Sequence, residues 1–276
     1  MILLPRAALV IDAPLRKAFD LRTEEQKAHY WRGVERLRTG FYASAEKQLC
    51  ARFETEKIAI LQAIRGIPPE HAYELAQGAL AEQAQEWERT ITAIYLAVGE
   101  AVAPRVQSGL KATAPGAVKS DDAWKDFVLA WLRVQAGIKV SQIQDTTLEQ
   151  LRRALMDGVD QGEGIRDLAK RVESLYAETI EPWRAVMIAR TEVVSASNAA
   201  SVSVARSTGV HMNKVWLSTR DDRTRDTHRE VDGQEVGIDE PFNVSGWGMM
   251  WPGDSSMAAP AGEIVNCRCT VTYRRN

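Results

Sequence analysis

Two apolar, β-branched runs decide the fold of the C-terminal part of the chain. The first is Lys214-Val215-Trp216-Leu217-Ser218, and the second is Ile264-Val265-Asn266-Cys267-Arg268-Cys269-Thr270-Val271-Thr272-Tyr273. Val, Ile, Thr and aromatic residues favour strands, and the second run alternates as a half-buried strand does. We therefore predict two strands that pair with each other in a small C-terminal domain.

The segments between these two strands are polar or rich in glycine and proline. Residues 221–230 carry charges of both signs and predict a short polar helix, and residues 233–242 predict a short strand or an arm. A long loop is predicted over residues 243–262, and long loops in compact domains are often functional. Its turn-forming residues are Gly246, Gly248, Pro252, Gly253 and Gly262.

The sequence before residue 110 predicts helices, because Ala, Leu, Glu, Gln and Arg dominate it. Thr23, followed by Gln26 three positions later, predicts an N-cap with a capping box. Gly66-Ile67-Pro68-Pro69 predicts a helix break, and Glu70 to Val98 predicts one long helix after it. A linker is predicted at Thr113-Ala114-Pro115-Gly116.

Four further helical segments are predicted between this linker and Gly209, which suits a helix C-cap. Pro182 favours the first turn of the last of them, where a missing N–H costs little. The predicted segments are Asp121 to Ala136, Thr146 to about Gly158, Ile165 to Ala177, and Glu181 to about Ser207.

The predicted fold class is α+β, with a mostly helical N-terminal region and a small C-terminal α+β domain. We predict three regions along the chain. Residues 1–112 form a helical arm or bundle, residues 113–184 form a helical connecting region, and residues 185–276 form the C-terminal domain.

Composition excludes some classes of protein. The chain has 276 residues, 45% hydrophobic and 26% charged, with a net charge of −2. This balance is typical of a globular protein and offers no overall basic field for nucleic acid. No apolar run is long enough for a membrane span or a signal peptide, so we expect a soluble protein made in the cytoplasm. Three cysteines predict no disulfide framework.

Cys267 and Cys269 are the strongest candidates for a metal site. Residues two apart on a strand point to the same face, and His228 on the predicted short helix can pack over that face. Two thiolates and an imidazole suit zinc, with a fourth ligand from Asp222, Asp226 or Asp254. The alternative interpretation is a buried structural pair, because cysteine is among the most buried residue types. A Cys267–Cys269 disulfide fits strand geometry poorly.

His228 also has two interpretations without a metal. It is a candidate general base beside a carboxylate, although no nucleophile or phosphate loop accompanies it. The favoured alternative is a buried polar network of His228, Arg225 and Arg190 that fixes helices to the sheet.

The predicted loop is unusually rich in large apolar residues. They form either a lid over the domain core or a surface that docks on a partner protein, where Trp and Met are enriched. These residues are Trp247, Met249, Met250 and Trp251.

A series of short motifs follows in order over about residues 185–276: Arg190-Thr191-Glu192, Trp216-Leu217-Ser218-Thr219, Asp222-Arg223-Thr224-Arg225, His228, Asp232-Gly233-Gln234, Pro252-Gly253-Asp254 and Asn266-Cys267-Arg268-Cys269. Their order and spacing resemble the phage Mu F-like minor head proteins, also called phage head morphogenesis proteins. Gly164 to Ala169 resembles the segment that often precedes the Arg-Thr-Glu helix of that family, whereas the first 110 residues match nothing specific. Its recurrent positions correspond to Arg190, Trp216, Asp222, Arg225, His228, Asp232, Gly233, Pro252, Gly253, Asp254, Asn266, Cys267 and Cys269, and Glu192 is a candidate functional residue of the Arg-Thr-Glu motif.

The resemblance implies a minor capsid protein of a tailed phage or prophage that acts during procapsid assembly. It implies binding to portal or major capsid protein in several copies per virion, with packaged DNA as a further candidate partner. The expected location is inside the virion head, and the host cytoplasm during assembly. No catalytic residue, cofactor or appended enzyme domain is expected, with zinc as the exception raised above.

Two alternative functions remain open. One is a metal-dependent hydrolase or nuclease that uses His228, Asp222 and the two cysteines. The other is a prophage-derived effector delivered to a bacterial cell, for which toxicity on expression is the discriminating observation.

Overall fold

A computed structural model describes residues 20–113, 123–219 and 221–275. The first predicted helical residues and most of the predicted linker at 113–116 lie outside these ranges. The predicted fold class is confirmed: helices form the N-terminal region, and a few short antiparallel strands lie in the C-terminal part.

The N-terminal region begins with three helices, α1 (Glu24–Ala63), α2 (Ala72–Glu82) and α3 (Ala84–Thr113). The predicted capping box at the start of α1 is confirmed. The Gln26 backbone N–H donates to Thr23 Oγ1, and the Thr23 N–H donates to Gln26 Oε1. The predicted break after α1 is also confirmed, with a 3-10 turn at Pro69–His71. The single helix predicted from Glu70 to Val98 is wrong, because the chain interrupts it at Gln83, between α2 and α3.

Helix α4 (Ala123–Asp160) is continuous, so the predicted helix start at Thr146 is wrong. The hydroxyls of Thr146 and Thr147 donate to the carbonyls of Gln142 and Ile143, four residues earlier. A threonine that bonds back to the preceding turn remains inside a helix instead of capping a new one.

The predicted gap between the next two helices is occupied by helical backbone. Helix α5 (Ile165–Leu175) continues through a π-helical segment, Tyr176–Arg184, into α6 (Ala185–Ser207). The prediction that α6 begins at Glu181 with Pro182 in its first turn is therefore wrong. The helical backbone continues from α5 to α6 without the break that a new helix start requires.

A three-stranded antiparallel sheet follows α6. Its strands are β1 (Met212–Leu217), β2 (Glu235–Gly237) and β5 (Thr270–Arg275), in the order β2-β1-β5. Lys214 lies opposite Tyr273 in the register of β1 and β5, which confirms the predicted strand pair. The second predicted run starts as a strand only at Thr270, six residues later than expected.

Four further short elements lie in the described C-terminal part of the chain. The predicted polar helix is reduced to α7 (Asp226–Glu230), and a one-turn helix, α8 (Ala261–Ile264), precedes the cysteines. Within the predicted loop, β3 (Phe242–Val244) and β4 (Trp247–Met249) form an antiparallel hairpin. The loop is therefore more ordered than its glycine content suggests.

The open edge of β5 is covered by the start of α1. The Asp20 N–H donates to the Tyr273 carbonyl at 3.0 Å, and the buried Tyr30 hydroxyl donates to the Val271 carbonyl at 3.1 Å. Covering an edge strand satisfies its outward backbone groups and prevents pairing with other chains.

The chain divides into two compact units that do not follow chain order. Within the described residues, the first unit comprises 20–40, 96–113, 123–128, 194–219 and 221–275, and the second comprises 41–95 and 129–193. The three-region division predicted from the sequence is a division along the chain, and it stays a prediction. Among the described residues, no helix combines the length and the apolar character needed to cross a bilayer.

Candidate functional site

The first unit brings His228 against Cys267 and Cys269. The Nδ1 atom of His228 lies 3.6 Å from Cys267 Sγ and 3.4 Å from Cys269 Sγ. All three side chains are at most 2% exposed. The ring of Trp216, on β1, meets the His228 ring edge to face at 5.4 Å. The predicted grouping of these three residues is thus present as a closed, buried cluster.

The two cysteines reach this position from a turn instead of a strand. Asn266 has a left-handed backbone with φ of 56°, which asparagine tolerates better than most residues. The Cys267 N–H then donates to the Ile264 carbonyl at the end of α8. The prediction that both cysteines lie on a strand is wrong, because this turn delays β5 until Thr270.

One hydrogen bond between the two thiols shifts their pKa values in opposite directions. The bond from Cys269 holds the pKa of Cys267 well below its usual range, and His228 contributes in the same direction. The same bond raises the pKa of Cys269 well above its usual range, and burial adds to the effect. The two thiols therefore do not lose their protons independently, and the thiolate is the form that binds metals.

The edge of the His228 ring opposite the thiols meets a carboxylate that the sequence did not indicate. Nε2 of His228 lies 3.1 Å from Oε2 of Glu263, on α8, at an angle that falls short of a well-formed hydrogen bond. The Thr227 hydroxyl donates to the same Glu263 oxygen at 2.8 Å. Glu263 is thus fixed behind the imidazole, on the side away from the thiols.

The predicted fourth ligands do not join this cluster. Among the described residues, one group of three metal-binding side chains lies close enough together to share an ion. It consists of His228, Cys267 and Cys269. Asp222 and Asp226 are exposed. Asp254 is buried, but its carboxylate accepts hydrogen bonds from Met250 N and from Ser256 N and Oγ, so it holds a turn.

A buried arginine in α1 fixes the cysteine segment from its other side. Arg38 is fully buried and donates from Nε to Ser197 Oγ at 2.6 Å and from Nη2 to Asn198 Oδ1 at 2.9 Å. Its Nη1 donates to the carbonyls of Arg268 and Cys269 at 3.2 and 3.3 Å. Sequence reasoning missed this contact, although an arginine within the apolar stripe of α1 was a visible signal.

Asn198, on α6, joins three segments of the first unit. Its Nδ2 donates to the carbonyls of Pro252 and Cys269, and its Oδ1 accepts from Arg38 and from Thr270 Oγ1. All of its side-chain hydrogen-bonding capacity is used, which fixes one geometry for the cysteine turn and for the Pro252 turn.

The charged motif residues around α7 hold local turns. Arg268 forms a bidentate ion pair with Asp221 at 2.7 and 2.8 Å, which lowers the pKa of Asp221 to about 2. Arg225 donates to the Val265 carbonyl, and Asp232 accepts from the Ser218 N–H at 2.8 Å. Gly233, with φ of 82°, donates to the Trp216 carbonyl and leads into β2.

The aromatic residues of the predicted loop divide between core and surface. Trp251 and Met249 are buried, whereas Trp247 is 45% exposed. The fully buried Lys214 donates to the Met250 carbonyl at 2.8 Å, and burial lowers the pKa of Lys214 to about 8. The buried Met249 and Trp251 therefore fit the predicted lid over the domain core, and the exposed Trp247 fits the predicted docking surface.

Gly253 sits where a side chain would not fit. Its φ is +87°, and an added Cβ would stand 3.3 Å from Ser195 Cα on α6. We expect Gly253→Ala to lower the free energy of unfolding by about 1–3 kcal/mol, through a strained backbone and this close contact. Urea denaturation measures the change. Gly262→Ala, where nothing lies within 4 Å of the added Cβ and φ is not positive, is the control; equal effects of the two changes would contradict this account.

The Arg-Thr-Glu motif belongs to the second unit, and its charged residues differ in environment. Arg190 is exposed, so its predicted place in a buried network with His228 is wrong. Glu192 is buried and accepts from Lys139 Nζ at 3.0 Å and from the Tyr95 hydroxyl at 3.0 Å. Lys139 also lies over the rings of Tyr95 and Trp131.

Comparison with known proteins finds a similarity to a family of phage proteins over the C-terminal region. Residues 149–272 match the model of the family described as Phage Mu protein F like protein. This match confirms the predicted resemblance of the C-terminal region to that family and extends it toward the N-terminus.

Three relatives are similar over just under half of this chain. Minor head protein GP7 of Bacillus phage SPP1 is 33% identical over 130 residues, which cover 46% of this chain and 40% of GP7. The NAD(+)–arginine ADP-ribosyltransferase EFV of Enterococcus faecalis is 32% identical over 48% of this chain and 27% of its own length. Protein YqbB of Bacillus subtilis is 30% identical over 46% of this chain and 41% of its own length.

The chain thus spans between about a quarter and two fifths of these relatives. No solved structure matches it significantly.

Proposed function

We propose that this protein is a minor head protein of a tailed phage or prophage, which acts by binding other proteins during head assembly. The observation that carries the proposal is the Mu F-like region at residues 149–272, together with the similarity to a phage minor head protein. In this proposal the protein resides in the virion head, after assembly in the host cytoplasm. Its partners are the portal or major capsid protein, and it is present in several copies.

The burial of the His228 cluster supports a binding role over a hydrolase. A catalytic metal site keeps a position open to substrate, whereas a structural site is closed. His228, Cys267 and Cys269 are all at most 2% exposed, and Asp222 lies outside the cluster. The similarity to the ADP-ribosyltransferase covers only 27% of that protein, so its named activity does not support an enzymatic role for this chain.

The exposed Trp247 of the β3–β4 hairpin marks the proposed docking surface. Its side chain is 45% exposed, although it lies on a strand whose next-but-one residue, Met249, is buried. An exposed tryptophan is typical of protein-binding surfaces, where this residue type is enriched.

Arg274 and Arg275, at the end of β5, give little support to DNA as a partner. Arg274 forms an ion pair with Glu235 at 2.7 Å, so part of the positive charge of the tail is already neutralised. Two arginines contribute little to phosphate binding at physiological salt in any case.

The partner claim is tested by cross-linking mass spectrometry on assembling heads. In a strain that lacks the chromosomal copy, we expect wild-type protein to cross-link to portal or capsid protein. Trp247→Ser is expected to reduce those cross-links by about tenfold or more, because a central aromatic anchor carries much of the binding energy of an interface.

The matched control is Ile58→Ser, which removes an equally exposed apolar side chain (45%) from α1. It should leave the cross-links unchanged. Unchanged cross-links with Trp247→Ser would overturn the proposed docking surface. Absence of any cross-link from wild-type protein to a head component would overturn the proposed partners.

A further inference from the structure

We infer that Cys267, Cys269 and His228 bind one zinc ion, in a structural site that fixes α7 against the turn before β5. This inference concerns the first unit alone and does not depend on the role in head assembly. The proposed ligand atoms are Sγ of each cysteine and Nδ1 of His228.

The distances between the three ligand atoms fit a tetrahedral zinc ion. Zn–S bonds of about 2.3 Å and Zn–N bonds of about 2.0–2.1 Å place the bonded sulfur and nitrogen about 3.6 Å apart. The two sulfur-to-nitrogen distances are 3.6 and 3.4 Å. All three atoms lie within 4.8 Å of one another, which leaves room for one ion at a common distance.

The alternative, a purely apolar role for the cysteines, does not explain the orientation of His228. One imidazole nitrogen carries either one proton or one lone pair, so it makes one good hydrogen bond at a time. Here the same Nδ1 faces two buried sulfurs at nearly equal distance. A shared metal ion satisfies all three atoms together.

The surroundings of the imidazole match those of a metal ligand. A metal-bound histidine usually presents its other ring nitrogen to a carboxylate, which sets the tautomer and the ring orientation. Glu263 Oε2 stands 3.1 Å from His228 Nε2 and is itself held by the Thr227 hydroxyl. Glu263 therefore acts as a positioning residue for the proposed ligand.

The site has three protein ligands among the described residues, so a solvent molecule completes the tetrahedron in this proposal. Thr219 is suited to hold that molecule. Its backbone N–H bonds to Cys269, and its buried hydroxyl has no hydrogen-bond partner within the described residues. Three protein ligands also occur in catalytic zinc sites, but the burial of this cluster gives a substrate no access.

The test is the zinc content of the purified, tag-free full chain, measured by elemental mass spectrometry after incubation with Zn²⁺ and removal of excess metal. We expect about one zinc per chain in the wild-type protein and in Cys50→Ser, which removes the third cysteine, outside the cluster. Cys267→Ser/Cys269→Ser is expected to retain less than about a tenth of that amount. A folded wild-type protein without zinc, or a double variant that retains it, would overturn the inference.

A second measurement keeps the test valid if the double variant does not fold. Zn²⁺ should protect Cys267 and Cys269 of the wild-type protein from alkylation, whereas the half-buried Cys50 should react equally with and without the metal. The reaction is run in urea just below the unfolding transition, where local opening makes both buried thiols reachable without the metal. Loss of all protection on chelation supports the site, and equal alkylation of Cys267 and Cys269 with and without Zn²⁺ under these conditions overturns it.

The role of Glu263 is tested separately, by the zinc affinity of a variant. Glu263→Gln should weaken zinc affinity by roughly 10–100-fold, the usual effect of removing such a partner, while the protein stays folded. Competition with a chelator of known affinity gives the ratio. An unchanged affinity would remove Glu263 from the proposal.

Discussion

Arg38→Met is expected to lower the free energy of unfolding by about 3–5 kcal/mol, because four acceptors lose hydrogen bonds from a charged donor and one such bond contributes about 1.5–3 kcal/mol. Arg38 is fully buried and makes four hydrogen bonds, to Ser197 Oγ, Asn198 Oδ1 and two backbone carbonyls. Methionine fills much of the volume but supplies no donors. Urea denaturation followed by circular dichroism measures the change.

A conservative variant separates charge from geometry at the same position. Arg38→Lys retains the charge but has no planar guanidinium to bond Ser197, Asn198 and the carbonyls together, so we expect it to lose most of the same stability. Arg32→Met, at an exposed position on the same helix, is the control and should have little effect. If Arg38→Met were as stable as Arg32→Met, the proposed organising role of Arg38 would be wrong.

Glu192→Leu is expected to have the other large effect, a loss of about 3–5 kcal/mol, because it leaves a buried ammonium without its counter-ion. Lys139 is 4% exposed and lies 3.0 Å from Glu192 Oε2. The Tyr95 hydroxyl loses its acceptor in the same variant. Urea denaturation again gives the free energy of unfolding.

The double variant Glu192→Leu/Lys139→Met tests the physical reason. Replacing a buried ion pair with apolar residues is often tolerated, so the double variant should be more stable than Glu192→Leu alone. Glu149→Ala breaks an exposed ion pair with Arg153 and should change stability little. Additive losses in the double variant would show that Glu192 and Lys139 do not stabilise each other.

Sequence patterns predicted the elements whose signals are local. Strands β1 and β5 followed from their β-branched composition, and the start of α1 followed from the Thr23 capping box. In these elements the residues that indicate the structure in the sequence also make the hydrogen bonds that define it. The grouping of His228 with two cysteines was predicted from residues two apart on a strand, and it is present although a turn, not a strand, positions the two thiols.

Three predictions from local sequence patterns were wrong, because the folded structure gives these residues a different role. Thr146 and Thr147 resemble a helix start, yet they bond back into α4. Pro182 predicted a new helix, yet the backbone passes it as a π-helical segment. The alternation of residues 264–273 predicted a strand, yet Asn266 takes a left-handed turn before the cysteines.

The residues that organise the candidate site were the least predictable. Arg38, Asn198 and Glu263 come from three separate helices, and their partners are distant in sequence or are backbone carbonyls. A single sequence contains no pattern for contacts of that kind. Arg38 alone left a trace, as a charged residue on a face whose neighbours Val34 and Ala45 are buried.

The central claim is that this protein is a component of the phage head. The most direct measurement is quantitative mass spectrometry of density-purified heads from the source strain, with the amount of this chain expressed per major capsid protein. We predict several copies in every head and a constant ratio through successive purification steps. A ratio that falls toward zero on purification, with the chain left in the lysate, would contradict the claim.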